Sequence, residues 1–172
     1  VNTARVALTA ALVTLAVVLQ ASVLDAFAWD GVVPDLALLV VVGAALVRGG
    51  EFGMLTGFAA GVVLDLAPPA DHLAGRWALA LVVVGYVAGR VRQDARPGLA
   101  PTPTTVLATV AACSFVGSSV FALTGLVLRD PAVDVGELLQ VIAISLVWDV
   151  LLAPLVLPVV MAAFRRLEPA AR

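Results

Sequence analysis

The chain has 172 residues, 62% of them hydrophobic and 13% charged, with a net charge of −2 and a mean hydropathy of +1.11. Soluble domains run at roughly 45–50% apolar and about 25% charged, and no soluble fold of this length has enough interior to hide so much apolar surface. The figures exclude a large extramembrane catalytic domain, a disordered protein and an ordinary nucleic-acid-binding protein, and make lipid the solvent for most of the chain.

Six apolar runs follow one another, over about 6–24, 32–47, 52–67, 77–90, 104–128 and 138–164. A membrane helix needs about 20 residues, so six use roughly 120 and leave about 50 for loops. The second, third and fourth runs are short, and suit a thin bilayer or ends lengthened by snorkelling arginines. A five-span reading would fuse or drop one of them. The expectation is an all-α, polytopic membrane protein: a bundle of six transmembrane helices forming a single integral membrane domain over 1–172.

The first run resembles a secretory signal, with one Arg before it and Ala26-Phe27-Ala28 as a small-x-small site after it. It is too long for a typical signal core, and five more runs follow, so an uncleaved first helix is expected. All ten basic residues are Arg, a bias found in high-GC bacterial coding sequences. Their placement orients the set by the positive-inside rule. With the N-terminus inside, eight arginines (5, 48, 90, 92, 96, 165, 166 and 172) fall on inner segments and two, Arg76 and Arg129, on outer ones. The outer loops carry Asp25, Asp30, Asp71, Asp130, Asp134 and Glu137, and Trp29 and Trp77 fall at the outer interface. Both termini are then cytoplasmic and the location is a bacterial inner membrane. The longest loop, about 91–103, is cytoplasmic and basic; its prolines keep it extended.

Gly53, Gly57, Gly61 and Asp65 recur every four residues in the third run. Four residues advance a helix by about 400°, so they form one stripe on which another backbone can approach closely. Gly85 and Gly89 make a second, weaker small-xxx-small pair in the fourth run. These five glycines are candidate helix-packing or partner-contact positions. Asp65 closes the stripe near Pro68-Pro69, and either joins a polar network with Asp35 or an Arg, meets a partner, or reaches interfacial water. Asp149 lies in the middle of the sixth run, ahead of Pro154 and Pro158. A carboxylate there must face protein or water. It serves packing, a partner contact, or a ligand or proton path. Asp35, after Pro34, suits a helix N-terminus.

Catalytic motifs are missing. There is no H-E-x-x-H, no G-x-S-x-G and no phosphate loop, and there is no Lys for Ser–Lys chemistry. Ser114, Ser118, Ser119 and Ser145 sit in apolar runs, where hydroxyls bond backbone or a neighbouring helix. His72 lacks partners for a metal, and Cys113 reads as a small core residue. No enzyme activity, cofactor or metal is expected.

Residues 34–90 read Pro34-Asp35-Leu36, Arg48-Gly49, Gly53-xxx-Gly57-Phe58-xx-Gly61-xxx-Asp65, Pro68-Pro69, Gly75, Ala78-Leu79 and Gly85-Tyr86-xx-Gly89-Arg90. In that order, and with Asp149 followed by Leu151, Leu152, Pro154 and Pro158, the chain resembles the MreD family of rod shape-determining proteins. The stretch 97–105 is not part of that pattern. The resemblance implies a non-catalytic scaffold or regulatory subunit of the bacterial cell-elongation machinery, which builds peptidoglycan. The implied partners are membrane lipids, MreC, the actin-like MreB, RodA and a class B penicillin-binding transpeptidase. The implied fold resembles the substrate-binding components of vitamin transporters, with Pro34, Asp35, Gly53, Gly57, Phe58, Gly61, Asp65, Gly85, Tyr86 and Asp149 as the family-like positions. The same kinship keeps a second reading open, a small-molecule-binding membrane subunit of a transporter. Asp149 and Asp65 would then line a cavity with an outward mouth.

Overall fold

The computed structural model describes residues 3–68, 73–94, 101–128 and 135–166. Pro69, Asp71, His72, Arg96, Pro97, Arg129, Asp130, Asp134 and Arg172 lie outside the described residues, as do the side chains of Asp25 and Glu137. Six α-helices make up the described chain: α1 (Thr3–Ser22), α2 (Leu36–Arg48), α3 (Gly50–Leu66), α4 (Arg76–Asp94), α5 (Pro103–Val127) and α6 (Val135–Arg166). The protein is all-helical.

α2 is the axis around which the others pack. Every residue from Leu36 to Val47 is buried. A helix that is apolar all round belongs inside a protein or a membrane, and this one is wrapped by protein. Leu81, Val84 and Ala88 of α4, Cys113 of α5, and Leu157 and Phe164 of α6 join it in one core cluster. At 13 residues α2 rises about 20 Å, less than the roughly 30 Å of a hydrocarbon layer.

Two turns set the ends of α2. Before it, Trp29 and Val32 exchange both backbone hydrogen bonds at 3.0 and 2.9 Å around Asp30 and Gly31. Both central residues have positive φ, 48° and 77°, as a type I′ turn requires, and Asp-Gly is a favoured pair for it. The turn and the buried Pro34 occupy part of the second apolar run, so α2 starts at Leu36 rather than near 32. After it, Gly49 alone separates α2 from α3. Its φ of 94° reverses the chain, its N–H donates to Ala45 O at 2.7 Å, and its carbonyl accepts from Gly53 N at 3.0 Å.

α3 and α4 form an antiparallel pair with backbone against backbone. A methyl group added at Gly57 would overlap the carbonyl of Leu81, at Gly61 the backbone of Ala78, at Gly85 the backbone of Gly53, and at Gly89 the backbone of Gly50; at Gly53 it would strike Ala45. All five glycines of the two stripes therefore stand at contacts within the chain. α5 begins with Thr102 as N-cap, whose Oγ1 accepts from Thr105 N at 3.2 Å, and with Pro103 in the first turn. α6 carries Pro154 and Pro158 inside it, which withhold amide donors from the carbonyls of Val150 and Pro154.

The outer surface is apolar. Leu55, Phe58, Leu123, Leu139, Leu155 and Val159 are all exposed. Such a surface marks contact with lipid or with other helices. Among the described residues, α1, α5 and 138–166 of α6 are long and apolar enough to cross a membrane, and α2 is a shorter apolar helix. α3 has 17 residues, and α4 carries Arg76, Arg90, Arg92 and Asp94. Arginines of α1, α2 and α4 gather at one end of the bundle, with Arg76, at the start of α4, away from them. Arg48 Nη2 donates to Phe164 O at 3.2 Å, Arg92 donates to Val47 O, and Arg5 lines the same groove as Arg48.

Candidate functional site: a buried carboxylate node at the start of α2

A helix start leaves its first amides without intrahelical partners, and apolar surroundings offer no water to receive them. The start of α2 is such a case, and side chains from three helices and its own cap complete it. Asp35 N–H donates to Asp149 Oδ1 at 2.8 Å. Leu36 N–H donates to Gln20 Oε1 at 3.0 Å, and Ala37 N–H points at the same oxygen at 3.5 Å. Leu38 N–H donates to Asp35 Oδ1 at 2.8 Å, which makes Asp35 the N-cap. The second oxygen of Asp149 is occupied as well: Ser114 Oγ donates to Oδ2 at 2.7 Å.

One point thus joins α1 through Gln20, α2 through its amides, α5 through Ser114 and α6 through Asp149. Asp149 is 1% exposed and Asp35 8%. The electrostatics are those of a helix N-terminus, whose partial positive charge favours carboxylates beside it. In a low-dielectric interior each of these bonds is strong, and each would be costly to leave unmade.

Beside the node lies a cavity of about 320 Å³. Gln20, Asp35, Ser118, Ser145 and Asp149 supply its polar lining, and Trp77 and Phe121 part of its apolar wall. Arg76 also reaches it. Although a cation, Arg76 is only 3% exposed. Its Nη2 donates to Phe121 O at 2.9 Å, and its guanidinium carbon sits 4.0 Å from the centroid of the Phe121 ring. Trp77 stacks against the same ring with centroids 4.5 Å apart.

Asp65 stands elsewhere. Its Oδ2 accepts from Gly75 N at 2.8 Å and Ala78 N at 3.1 Å, and its Oδ1 from Trp77 N at 3.1 Å. It therefore receives the first amides of α4, much as Asp149 receives that of Asp35, and it is not among the residues lining the cavity. Of the three intramembrane or helix-end aspartates, the structure brings Asp35 and Asp149 together and puts Asp65 to work at another helix start. Phe58 and Tyr86 face outward and are exposed. Cys113 is buried in the core cluster. Among the described residues no three His, Cys, Asp or Glu side chains gather as a metal site.

Gln20 and Arg76 were not among the positions singled out from the sequence. A signal for Gln20 was available: an amide near the end of an otherwise apolar run needs a partner. Nothing local marks Arg76 as buried. Its sequence position reads equally well as an interfacial arginine.

No curated protein and no solved structure matches the chain. The family profile described as rod shape-determining protein MreD matches residues 2–166, nearly the whole length. With an all-helical bundle, an apolar outer face and the carboxylate-capped central helix on the same residues, the chain belongs to the MreD family of rod shape-determining proteins.

Proposed function

We propose that this protein is a non-catalytic scaffold or regulatory subunit of the bacterial cell-elongation complex. In this reading all six helices span the inner membrane, in one integral domain, with both termini cytoplasmic. Family membership gives the role in rod shape determination. The observation that carries the finer reading is the use made of the buried polar groups. The carboxylates of Asp35, Asp65 and Asp149 are engaged with amides or a hydroxyl of the chain itself. The outside offers apolar faces such as those bearing Phe58, Leu55 and Leu155. That division suits a rigid body that receives the transmembrane helices of partners. MreC, RodA and a class B penicillin-binding transpeptidase are the partners expected in the membrane, with MreB on the cytoplasmic side.

The test is depletion followed by microscopy. Cell width and the site of wall growth change, and co-purification in mild detergent recovers MreC. Unchanged cell shape on full depletion overturns the reading. The two tails carry reporters in a parallel experiment, and either tail found outside the cytoplasm overturns the six-span layout.

One observation favours a second reading, a small-molecule-binding membrane subunit of a transporter. The cavity beside Asp149 is large enough for a small ligand, since ligand pockets start at about 300 Å³. Ser118→Phe would fill it. If the filled variant still restores cell shape, ligand binding there is not the protein's task; loss of shape with normal folding supports the second reading.

A further inference from the structure

The arginine-rich end of the bundle holds a second feature that the elongation role does not use. Between α1 and α3 runs a groove of about 510 Å³. Val6 and Val13 line it from α1, and Leu55, Ala59 and Val63 from α3. Two of its three threonine hydroxyls are spent on the chain's own backbone. Thr9 Oγ1 is spent on Arg5 O at 2.9 Å, and Thr56 Oγ1 on Phe52 O at 2.8 Å. The α3 wall runs from Phe52 to Val63, about 17 Å of helix rise. That is a length suited to a fatty acyl chain.

Two guanidinium groups stand at one end of this trough, Arg5 and Arg48. Arg48 is held in place by its bond to Phe164 O and by the Phe52 ring, 5.2 Å from its guanidinium carbon. Arg5 Nε is buried and makes no hydrogen bond with any described residue. The partly buried guanidinium of Arg5, set in an apolar wall with its Nε unbonded, calls for an anion. Guanidinium forks match phosphate oxygens in geometry and charge.

We propose that this groove binds one anionic glycerophospholipid, its phosphate on Arg5 and Arg48 and one acyl chain along α3. The site rests on the membrane location of the chain; in the orientation proposed above it opens to the cytoplasmic leaflet. A transmembrane helix of a partner is the competing occupant. The paired cations at the end of a long apolar trough favour the lipid.

The experiment uses the full-length protein, delipidated in mild detergent and offered phosphatidylglycerol or phosphatidylcholine of the same acyl chains. Native mass spectrometry counts the lipids retained. One phosphatidylglycerol per chain is expected, in preference to phosphatidylcholine. Arg5→Gln weakens retention about fivefold, the effect of one basic residue near an anionic headgroup. Ala59→Phe, which blocks the trough without touching either arginine, also abolishes selective retention. Equal retention of both lipids, or unchanged phosphatidylglycerol in both variants, overturns the proposal. So does an Ala59→Phe variant that keeps the lipid but loses MreC, which would give the groove to a partner helix. Cell shape is scored separately: failure of the lipid site alone leaves complementation by wild-type protein intact, whereas failure of the elongation role abolishes it.

Discussion

The backbone amide of Asp35 and the carboxylate of Asp149 are 114 residues apart in the chain and 2.8 Å apart in space. A second contact between the same two helices, Arg48 to Phe164, spans 116 residues. The near-equal offsets show that α2 and α6 run parallel and in step. Asp149 therefore stands level with the start of α2, about 20 Å along both helices from the arginine-rich end.

Asp149→Ala removes the acceptor for both Asp35 N–H and Ser114 Oγ. Two donors are then left in an apolar interior, and the expected loss is about 3 kcal/mol. Asp149→Asn keeps one acceptor oxygen and is expected to cost about half as much. Thermal unfolding of the purified variants in detergent reads the difference; equal stability of the Ala variant and the wild type would show that the node does not hold the bundle.

Gln20→Leu fits the same space but deletes the oxygen that serves Leu36 N–H. We expect a destabilisation of about 1 kcal/mol, and faster amide exchange at the first turn of α2 than in wild-type protein. Gln20→Glu retains an acceptor there and should leave that turn protected.

For the helix pair α3–α4, Gly57→Ala forces a methyl into the Leu81 carbonyl. Backbone cannot step aside as a side chain can, so the cost is about 2–3 kcal/mol. Gly49→Ala is the contrasting case. Nothing lies within 4 Å of a methyl there, but φ is 94°. Only conformational strain remains, about 1–2 kcal/mol. Gly57→Leu should yield no folded protein, as judged by gel filtration in detergent. A monodisperse Gly57→Leu peak would mean the two helices can part without loss.

Removing the cap of α4 by Asp65→Ala strands the amides of Gly75, Trp77 and Ala78. The expected cost is about 2 kcal/mol, with Asp65→Asn intermediate. Because Trp77 packs on Phe121, its fluorescence reports the change directly; a spectrum identical to wild type would place the cap outside the energetics of that end.

Much of the helix layout was legible because apolar runs are bounded by breakers and charges. The fifth run, 104–128, and the helix Pro103–Val127 nearly coincide, since Thr102 and Pro103 announce the start. α4 was expected to end at 90 and continues to Asp94. Arginines need not stop a helix, and Arg92 folds back onto Val47 O at the bundle end. The second run began too early because Asp30 and Gly31 make a turn that apolar content alone conceals. The glycine stripe gave a close helix contact from spacing, but not its partner. Whether Gly57 meets α4 or another protein depends on where Leu81 lies, and no period in one segment encodes that. The same holds for the node. Asp149 was suspect from its depth in an apolar run, yet its partners come from positions 35 and 114, and the amide beside them is served from position 20. Such convergence is a property of the packed bundle, not of any window of sequence.

The enclosure of α2 has a consequence for how the molecule is made. The acceptor for Leu36 N–H sits on α1, ahead of α2 in the chain, whereas the acceptor for the N-cap amide of Asp35 comes 114 residues later, on α6. The cap of the central helix is therefore closed only when α6 has docked, and a chain truncated between α5 and Asp149 is expected to hold α2 with that amide's bond unmade.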